Sequence, residues 1–216
     1  MELTDAIQDY VKEIYKLEAA GRRATTSALA KELGVSAPSV TAMVKKLASL
    51  GLVEHERYRG TRLTRKGERV ALEVIRHHRL LEQYLSQTLG LPLDALHNEA
   101  DRLEHALSEE LEAEIDRSLG YPTRDPHGDP IPGPDLKIVV TEVTPLSTLE
   151  VGAKATVSRV PDGDGELLRY LDRLRLTPGN SVEVREAAPF EGPLTIRVGG
   201  AEHAISRELA ARISVT

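Results

Sequence analysis

The sequence predicts a mainly α-helical chain with a C-terminal β domain. Three observations point there. Apolar residues recur at helical spacing through roughly the first 120 positions, between Gly, Ser and Thr punctuation. Five prolines then fall within residues 121–135, where neither a helix nor a central strand can run. Beyond them, short β-branched runs alternate with turns such as Pro178-Gly179-Asn180 and Gly199-Gly200. With 216 residues and 40% apolar content, the chain is long enough for two or three small domains and apolar enough to fold.

The elements follow in order. Ile7, Tyr10, Val11, Ile14 and Leu17, with Leu3 upstream, place a helix over residues 4–20, and Gly21 stops it. Thr26 or Ser27 caps a short helix ending at Gly34; Ser36 caps the next, with Pro38 in its first turn. Val40, Val44 and Leu47 face inward and Gly51 terminates. Helix, Gly turn, helix is the helix-turn-helix arrangement. Residues 52–57 and 61–64 read as two strands around the turn Tyr58-Arg59-Gly60, which makes the motif a winged helix. Thr64 caps a long helix over about 65–89, ending at Gly90 and Pro92. Asp94 caps one running to about Leu107, and Ser108 a short acidic one ending near Gly120. Past the prolines, strands are expected at 137–142, 155–160, 181–185, 194–198 and 211–215, with one helix at 166–174, which suggests a small β-barrel. The expected domains are 1–64, 65–120, a Pro-rich linker over 121–144, and 145–216.

Charge is distributed unevenly. The net charge is −6, yet residues 1–70 hold 13 Lys/Arg against 9 Asp/Glu. Residues 71–120 hold 4 against 11, with four of the seven histidines. A basic front end can approach a polyanion despite the acidic total. Ser36, Ala37, Pro38, Ser39 and Thr41 begin the second helix of the motif, which enters the major groove of DNA in this arrangement. Their hydroxyls and methyls suit base edges. Lys45, Lys46 and the wing residues Arg57, Arg59 and Arg62 suit phosphates. No side chain there is a strong bidentate base reader, so modest direct readout with some reliance on DNA shape is expected.

The acidic middle carries a different signal. His78 and Glu82 are four residues apart, and His97, Asp101, Glu104 and His105 follow at spacings of four, three and one. Residues three or four apart share a helix face. A single such His or Glu is ordinarily an exposed residue. Six on two adjacent helices form a set that is costly to bury without a cation and chemically suited to one. Asp9, beside the apolar pair Tyr10-Val11 on the first helix, is a further donor candidate. There is no cysteine, which excludes disulfides, cysteine nucleophiles and thiolate metal sites. No basic start with an apolar run opens the chain, and no stretch approaches the roughly 18 apolar residues of a membrane span. A cytoplasmic protein without a membrane partner is expected.

With those residues in hand, the sequence resembles the diphtheria toxin repressor family of metal-dependent transcriptional regulators over nearly its whole length. The resemblance runs through Asp9–Tyr15, the helix-turn-helix, Tyr58-Arg59-Gly60, His78–Glu82, His97–Asp101, Glu104-His105 and Gly128–Gly133. Leu176-Thr177-Pro178-Gly179 with Val182-Glu183-Val184 resembles its SH3-like C-terminal domain. The resemblance implies a primary metal site of Asp9, Asp101, Glu104 and His105, and an ancillary one of His78, Glu82 and His97, with Asp164 and Glu166 as donors from the C-terminal domain. It implies DNA contacts from Ser27, Ser36, Pro38, Ser39, Thr41, Lys46 and Arg59. Where this chain has Asp9 and Asp101, the family's iron-responsive branch has Met and Cys. Carboxylates favour a harder cation, so Mn²⁺ is the expected effector, with Fe²⁺ as the alternative. The manganese branch has Glu where this chain has Lys12, and a protonated ammonium is no ligand. The implied function is a homodimeric, metal-dependent repressor of metal-uptake genes on a palindromic operator, with no small-molecule substrate and no enzymatic activity. The apolar positions Leu72, Ile75, Leu80, Leu85, Leu89, Leu103 and Leu107 are expected to supply the dimer surface. A metallohydrolase using the same cluster would lack a nucleophile and leave the winged helix unexplained. A metal-independent winged-helix regulator would leave the His/Asp/Glu stripe a structural site only.

Overall fold

The computed structural model describes residues 3–56, 60–139 and 141–216. Two compact units emerge: Met1–His77 with Glu104–Leu107 and Pro132–Lys137, and His78–Leu103 with Ser108–Ile131 and Ile138–Thr216.

The first unit contains α1 (Asp5–Ala19), α2 (Thr26–Glu32), α3 (Ala37–Ser49) and the strands β1 (Val53–Glu56) and β2 (Gly60–Leu63), paired antiparallel with Val53 opposite Leu63. The apolar stripe of α1 packs in one core with Leu29, Val40, Val44, Leu47, Leu52 and Val53. Each such side chain contributes about 1.5–3 kcal/mol when fully buried. The cap of α2 is Thr25, whose Oγ1 accepts from Ala28 N at 3.1 Å, rather than Thr26 or Ser27. Thr25 holds the extended backbone that a cap requires (φ −82°, ψ 160°), whereas Thr26 already begins the helix. Ser36 caps α3 as expected, accepting from Ser39 N at 3.3 Å. Thr64 accepts from Gly67 N at 3.1 Å and donates to Gly51 O at 2.8 Å, which opens α4 (Arg65–Leu89) directly after the wing.

The second unit holds the later part of α4, then α5 (Leu93–Leu103) and α6 (Glu109–Ser118). The α-helix expected to reach Leu107 ends at Leu103 and is followed by one 3₁₀ turn, Glu104–Ala106, which belongs to the first unit. Leu72, Ile75, Leu80 and Leu85 are already buried within one chain, so they are not surplus surface. Leu89 and Leu103 stay exposed.

The C-terminal part of this unit is a six-stranded antiparallel sheet. Its strands are β3 (Thr144–Pro145), β4 (Lys154–Arg159), β5 (Ser181–Ala187), β6 (Leu194–Val198), β7 (Ala201–Ile205) and β8 (Ser214–Val215), in the order β3-β8-β4-β5-β6-β7. Val182 and Val184, and Leu194, Ile196 and Val198, alternate into a core shared with Leu168 and Leu171 of α7 (Gly165–Arg173). Residues 137–139, 141 and 142 lie in no strand, and pairing starts at Thr144; β-branched residues do not make a strand without a partner edge. Residues 207–212 form α8 (Arg207–Arg212), capped by Ser206, which leaves only Ser214–Val215 as strand. The unexpected β7 lacks a β-branched run and is made by its pairing to β6, Leu194 opposite Ile205.

Residues 121–135 do more than link. Asp125, His127, Asp129 and Ile131 are buried. Asp125 Oδ1 accepts from His127 N (2.9 Å) and Asp129 N (2.8 Å), and Val160 N donates to His127 O at 2.9 Å. Gly128 permits this approach: its φ is +93°, and a Cβ there would meet Ser158 O at 1.9 Å. The prolines exclude regular structure as expected, but the segment meets its backbone hydrogen bonds locally instead of running free.

Candidate metal centre

Two clusters of candidate ligands form among the described residues, each with its donor atoms within 4.8 Å of one another: Asp9, Glu104 and His105, and His78, His97 and Asp101. The first joins α1 to the 3₁₀ turn. His105 Nε2 lies 2.9 Å from Asp9 Oδ1, and Nδ1 lies 2.6 Å from Gln8 Oε1. Glu104 is buried, and its Oε1 accepts from Lys12 Nζ at 2.5 Å. Burial pushes the Asp9 carboxyl above its ordinary pKa, against the nearby charges of His105 and Lys12. His77 Nδ1 is 3.1 Å from the Glu104 carbonyl and steadies the turn.

The second cluster lies on α4 and α5. His78 Nδ1 is 3.3 Å from Asp101 Oδ1, and His97 Nε2 is 3.5 Å from Asp101 Oδ2. The two rings meet edge to face at 4.9 Å between centroids. His78 Nε2 is also 3.2 Å from Glu82 Oε1. Asp101, which the family resemblance assigned to the Asp9 set, therefore groups with the two histidines. It shares the α5 face of His97 four residues earlier, whereas Glu104 and His105 follow the change to 3₁₀ geometry.

Glu82 leads to residues that the sequence reading missed. His127 is fully buried, and among the described residues neither ring nitrogen makes a hydrogen bond of good geometry; Nε2 faces Glu82 Oε1 at 3.5 Å. Burial opposes ionisation of Glu82, yet the imidazoles of His127, His78 and His97 hold its pKa well below the ordinary value. Asp125 is pushed up to about 7, by burial first and then by Glu82 and Asp129. Burial pulls His127 down, but Glu82 and the charges of Asp125 and Asp162 outweigh it and raise its pKa. Asp164 is exposed and spends its Oδ1 capping α7, accepting from Leu167 N at 3.0 Å. Glu166 is exposed in the first turn of α7. Asp162, just before that cap, is the acid whose charge reaches His127. The available signal was an Asp-x-His pair, Asp125 and His127, inside a segment read only as a linker.

These donors fit a divalent cation. All are imidazole nitrogens and carboxylate oxygens, with no thiolate in the chain, a set that suits Mn²⁺ or Fe²⁺. A buried imidazole whose Nε2 meets Glu82 only at 3.5 Å, with no well-formed hydrogen bond to either nitrogen among the described residues, is a further sign.

In the helix-turn-helix, Ser36, Pro38, Ser39, Thr41 and Lys46 are exposed at and along α3, and Ser27 is exposed on α2. Thr41 Oγ1 donates to Ala37 O at 3.0 Å and Ser36 Oγ lies 2.8 Å from Ser39 Oγ, so these hydroxyls are held at the helix start. Arg57 and Arg59 lie outside the described residues; Arg62 is exposed on β2.

Comparison with known proteins gives these features a family. Residues 2–61 match the iron dependent repressor N-terminal DNA binding domain, 64–133 the iron dependent repressor metal binding and dimerisation domain, and 144–216 the FeoA domain. The chain is 33% identical over 228 residues to the iron-dependent repressor IdeR of Mycobacterium bovis, covering 99% of this chain and 98% of that one. It is 36% identical over 134 residues to the diphtheria toxin repressor of Corynebacterium diphtheriae, covering 62% and 59%. A solved manganese-dependent transcriptional repressor in complex with manganese superposes with a TM-score of 0.86 at 36% identity, over 97% of this chain and 99% of that one. The manganese regulator SloR gives 0.80 at 32% identity, over 99% of both. Among the described residues no helix is long and apolar enough to cross a membrane. The chain belongs to the diphtheria toxin repressor family of metal-dependent, DNA-binding transcriptional repressors, which are not enzymes, and it carries the FeoA C-terminal domain.

Proposed function

We propose that this chain is a Mn²⁺-responsive repressor of metal-uptake genes, acting as a homodimer on a palindromic operator. The observation that carries it is the cluster of Asp9, Glu104 and His105, which joins α1 to the 3₁₀ turn with oxygen and nitrogen donors only. When bound there, Mn²⁺ would supply positive charge to Asp9 and Glu104 beyond that of Lys12. Asp9 stands on α1, whose apolar stripe shares one core with α3, so holding Asp9 against the turn also holds the recognition helix. Two such helices in a dimer would then meet successive major grooves, roughly 34–36 Å apart. Linkage requires DNA to tighten metal binding by the same factor that metal tightens DNA binding.

His78, Glu82, His97 and Asp101 form the second cation site, extended by Asp125, His127 and Asp162. Ser27, Ser36, Pro38, Ser39, Thr41, Lys46 and Arg59 contact the operator, mainly through phosphates and shape. Residues 1–64 bind DNA, 65–120 dimerise and hold metal, 121–144 connect, and 145–216 form the SH3-like domain. The carboxylate Asp9 and the manganese-dependent structural relatives support Mn²⁺, while identity to an iron-dependent repressor supports Fe²⁺. A titration of a duplex selected from random sequence, with Mn²⁺, Fe²⁺ or chelator, decides between them: tighter response to Mn²⁺ at equal free concentration is expected. Asp9→Met is expected to shift the response towards Fe²⁺, through its softer sulfur; an unchanged preference would remove Asp9 as the selecting residue.

A further inference from the structure

The donor set of the Asp9 cluster leaves one close contact unused. Gln8 precedes Asp9 on α1, is half-buried, and places its amide Oε1 2.6 Å from His105 Nδ1. The other ring nitrogen, Nε2, is the one 2.9 Å from Asp9 Oδ1. Adjacent residues of one helix thus hold both nitrogens of a single imidazole. An amide oxygen only accepts, so the ring nitrogen facing Gln8 must donate. Asp9 Oδ1 likewise only accepts, so without a cation it accepts from a proton on Nε2; with Nδ1–H engaged by Gln8, Nε2 is the nitrogen whose lone pair a cation beside Asp9 can use.

We propose that Gln8 is a positioning residue: by accepting the Nδ1–H of His105, it selects Nε2 as the nitrogen that binds a divalent cation and fixes the ring plane relative to α1. The proposal rests on the assignment of Asp9, Glu104 and His105 as a cation site. Partners on the far nitrogen of a ligating histidine fix its tautomer and orientation and raise its basicity, and losing one typically costs 10–100-fold in metal affinity. The contact also couples metal to the DNA-binding unit. The ring is oriented from α1 rather than from its own turn, so a displaced α1 would lose the orienting acceptor together with the Asp9 ligand. A neutral amide is the milder choice at this position, since a carboxylate acceptor would raise ring basicity further.

The test is a Mn²⁺ titration of the full chain, with free Mn²⁺ read by electron paramagnetic resonance. Wild type, Gln8→Ala, Gln8→Leu, Gln8→Glu and Asp9→Ala are compared, and chelator-treated samples are unfolded in urea. Gln8→Ala and Gln8→Leu are expected to lose 10–100-fold in affinity with unchanged urea midpoints, and Gln8→Glu to match or exceed wild type. In a His105→Ala background, Gln8→Ala is expected to have no further effect. Wild-type affinity in both Gln8→Ala and Gln8→Leu, or an equal loss in Gln8→Glu, would overturn the proposal. If Asp9→Ala keeps wild-type affinity, the cation site itself is misassigned; if Asp9→Ala loses affinity while Gln8→Ala keeps it, only the role of Gln8 falls.

Discussion

Lys12→Met removes the ammonium that neutralises Glu104. The two atoms are 2.5 Å apart, and the side chains are 9% and 0% exposed, so water does little to screen the carboxylate left behind. Breaking a buried pair by deleting one partner typically costs 3–5 kcal/mol, because the remaining charge is uncompensated. Here Asp9 adds a second carboxylate to the same cluster. We expect a loss of about 3 kcal/mol in the chelator-treated protein, a large share of the ~5–15 kcal/mol that a domain has. With a urea dependence of about 2 kcal/mol per molar, the midpoint falls by about 1.5 M, measured at fixed protomer concentration. Mn²⁺ restores the missing positive charge, so its stabilising effect should be larger in Lys12→Met than in wild type. The double variant Lys12→Met/Glu104→Gln should recover part of the loss, since the buried side chain facing the lost ammonium is then neutral. A loss under about 0.5 kcal/mol, the range of an ordinary surface substitution, or a Mn²⁺ effect no larger than in wild type, would refute the reasoning.

Other perturbations have definite directions. Gly128→Ala forces a Cβ to within 1.9 Å of Ser158 O at a φ of +93°, and should cost at least about 2 kcal/mol in urea unfolding. Asp125 has its folded pKa raised from 3.8 to about 7, so the folded chain holds a proton that the unfolded chain releases. Its contribution to stability is present below about pH 4 and lost as pH rises through about 7; Asp125→Asn should flatten that part of the metal-free melting profile. Ser36→Ala removes the α3 cap and should cost about 1 kcal/mol in urea unfolding.

The helical part of the fold was legible because its signals are local. Ser36, Pro38, Thr64 and Ser108 mark helix starts, and α1 announces itself by a stripe at helical spacing. The cap of α2 moved by one residue because Thr25, Thr26 and Ser27 all offer an oxygen, and only the backbone conformation separates them. In the β domain, strand identity depends on pairing partners far along the chain. Residues 137–139, 141 and 142 and the strand β7 were therefore misjudged in opposite directions. The metal clusters were legible as residues, His78, His97, Asp101, Glu104 and His105 with Asp9. Spacing along α5 puts Asp101 with His97, yet the change from α-helix to a 3₁₀ turn at Glu104 has no clear sequence mark. His127 was missed because prolines around it argue only against regular structure, not against burial. Its neighbour Gly128 is what lets the backbone approach Ser158 closely enough to bury it.

The measurement closest to the central claim is fluorescence anisotropy of a selected duplex with wild type, Asp9→Ala and His105→Ala, each in chelator and in Mn²⁺. The cluster on α1 and the 3₁₀ turn predicts that wild type binds tightly in Mn²⁺ and weakly in chelator, and that both variants stay weak throughout. Equal binding of wild type in the two conditions, or a full Mn²⁺ response from Asp9→Ala, would contradict it.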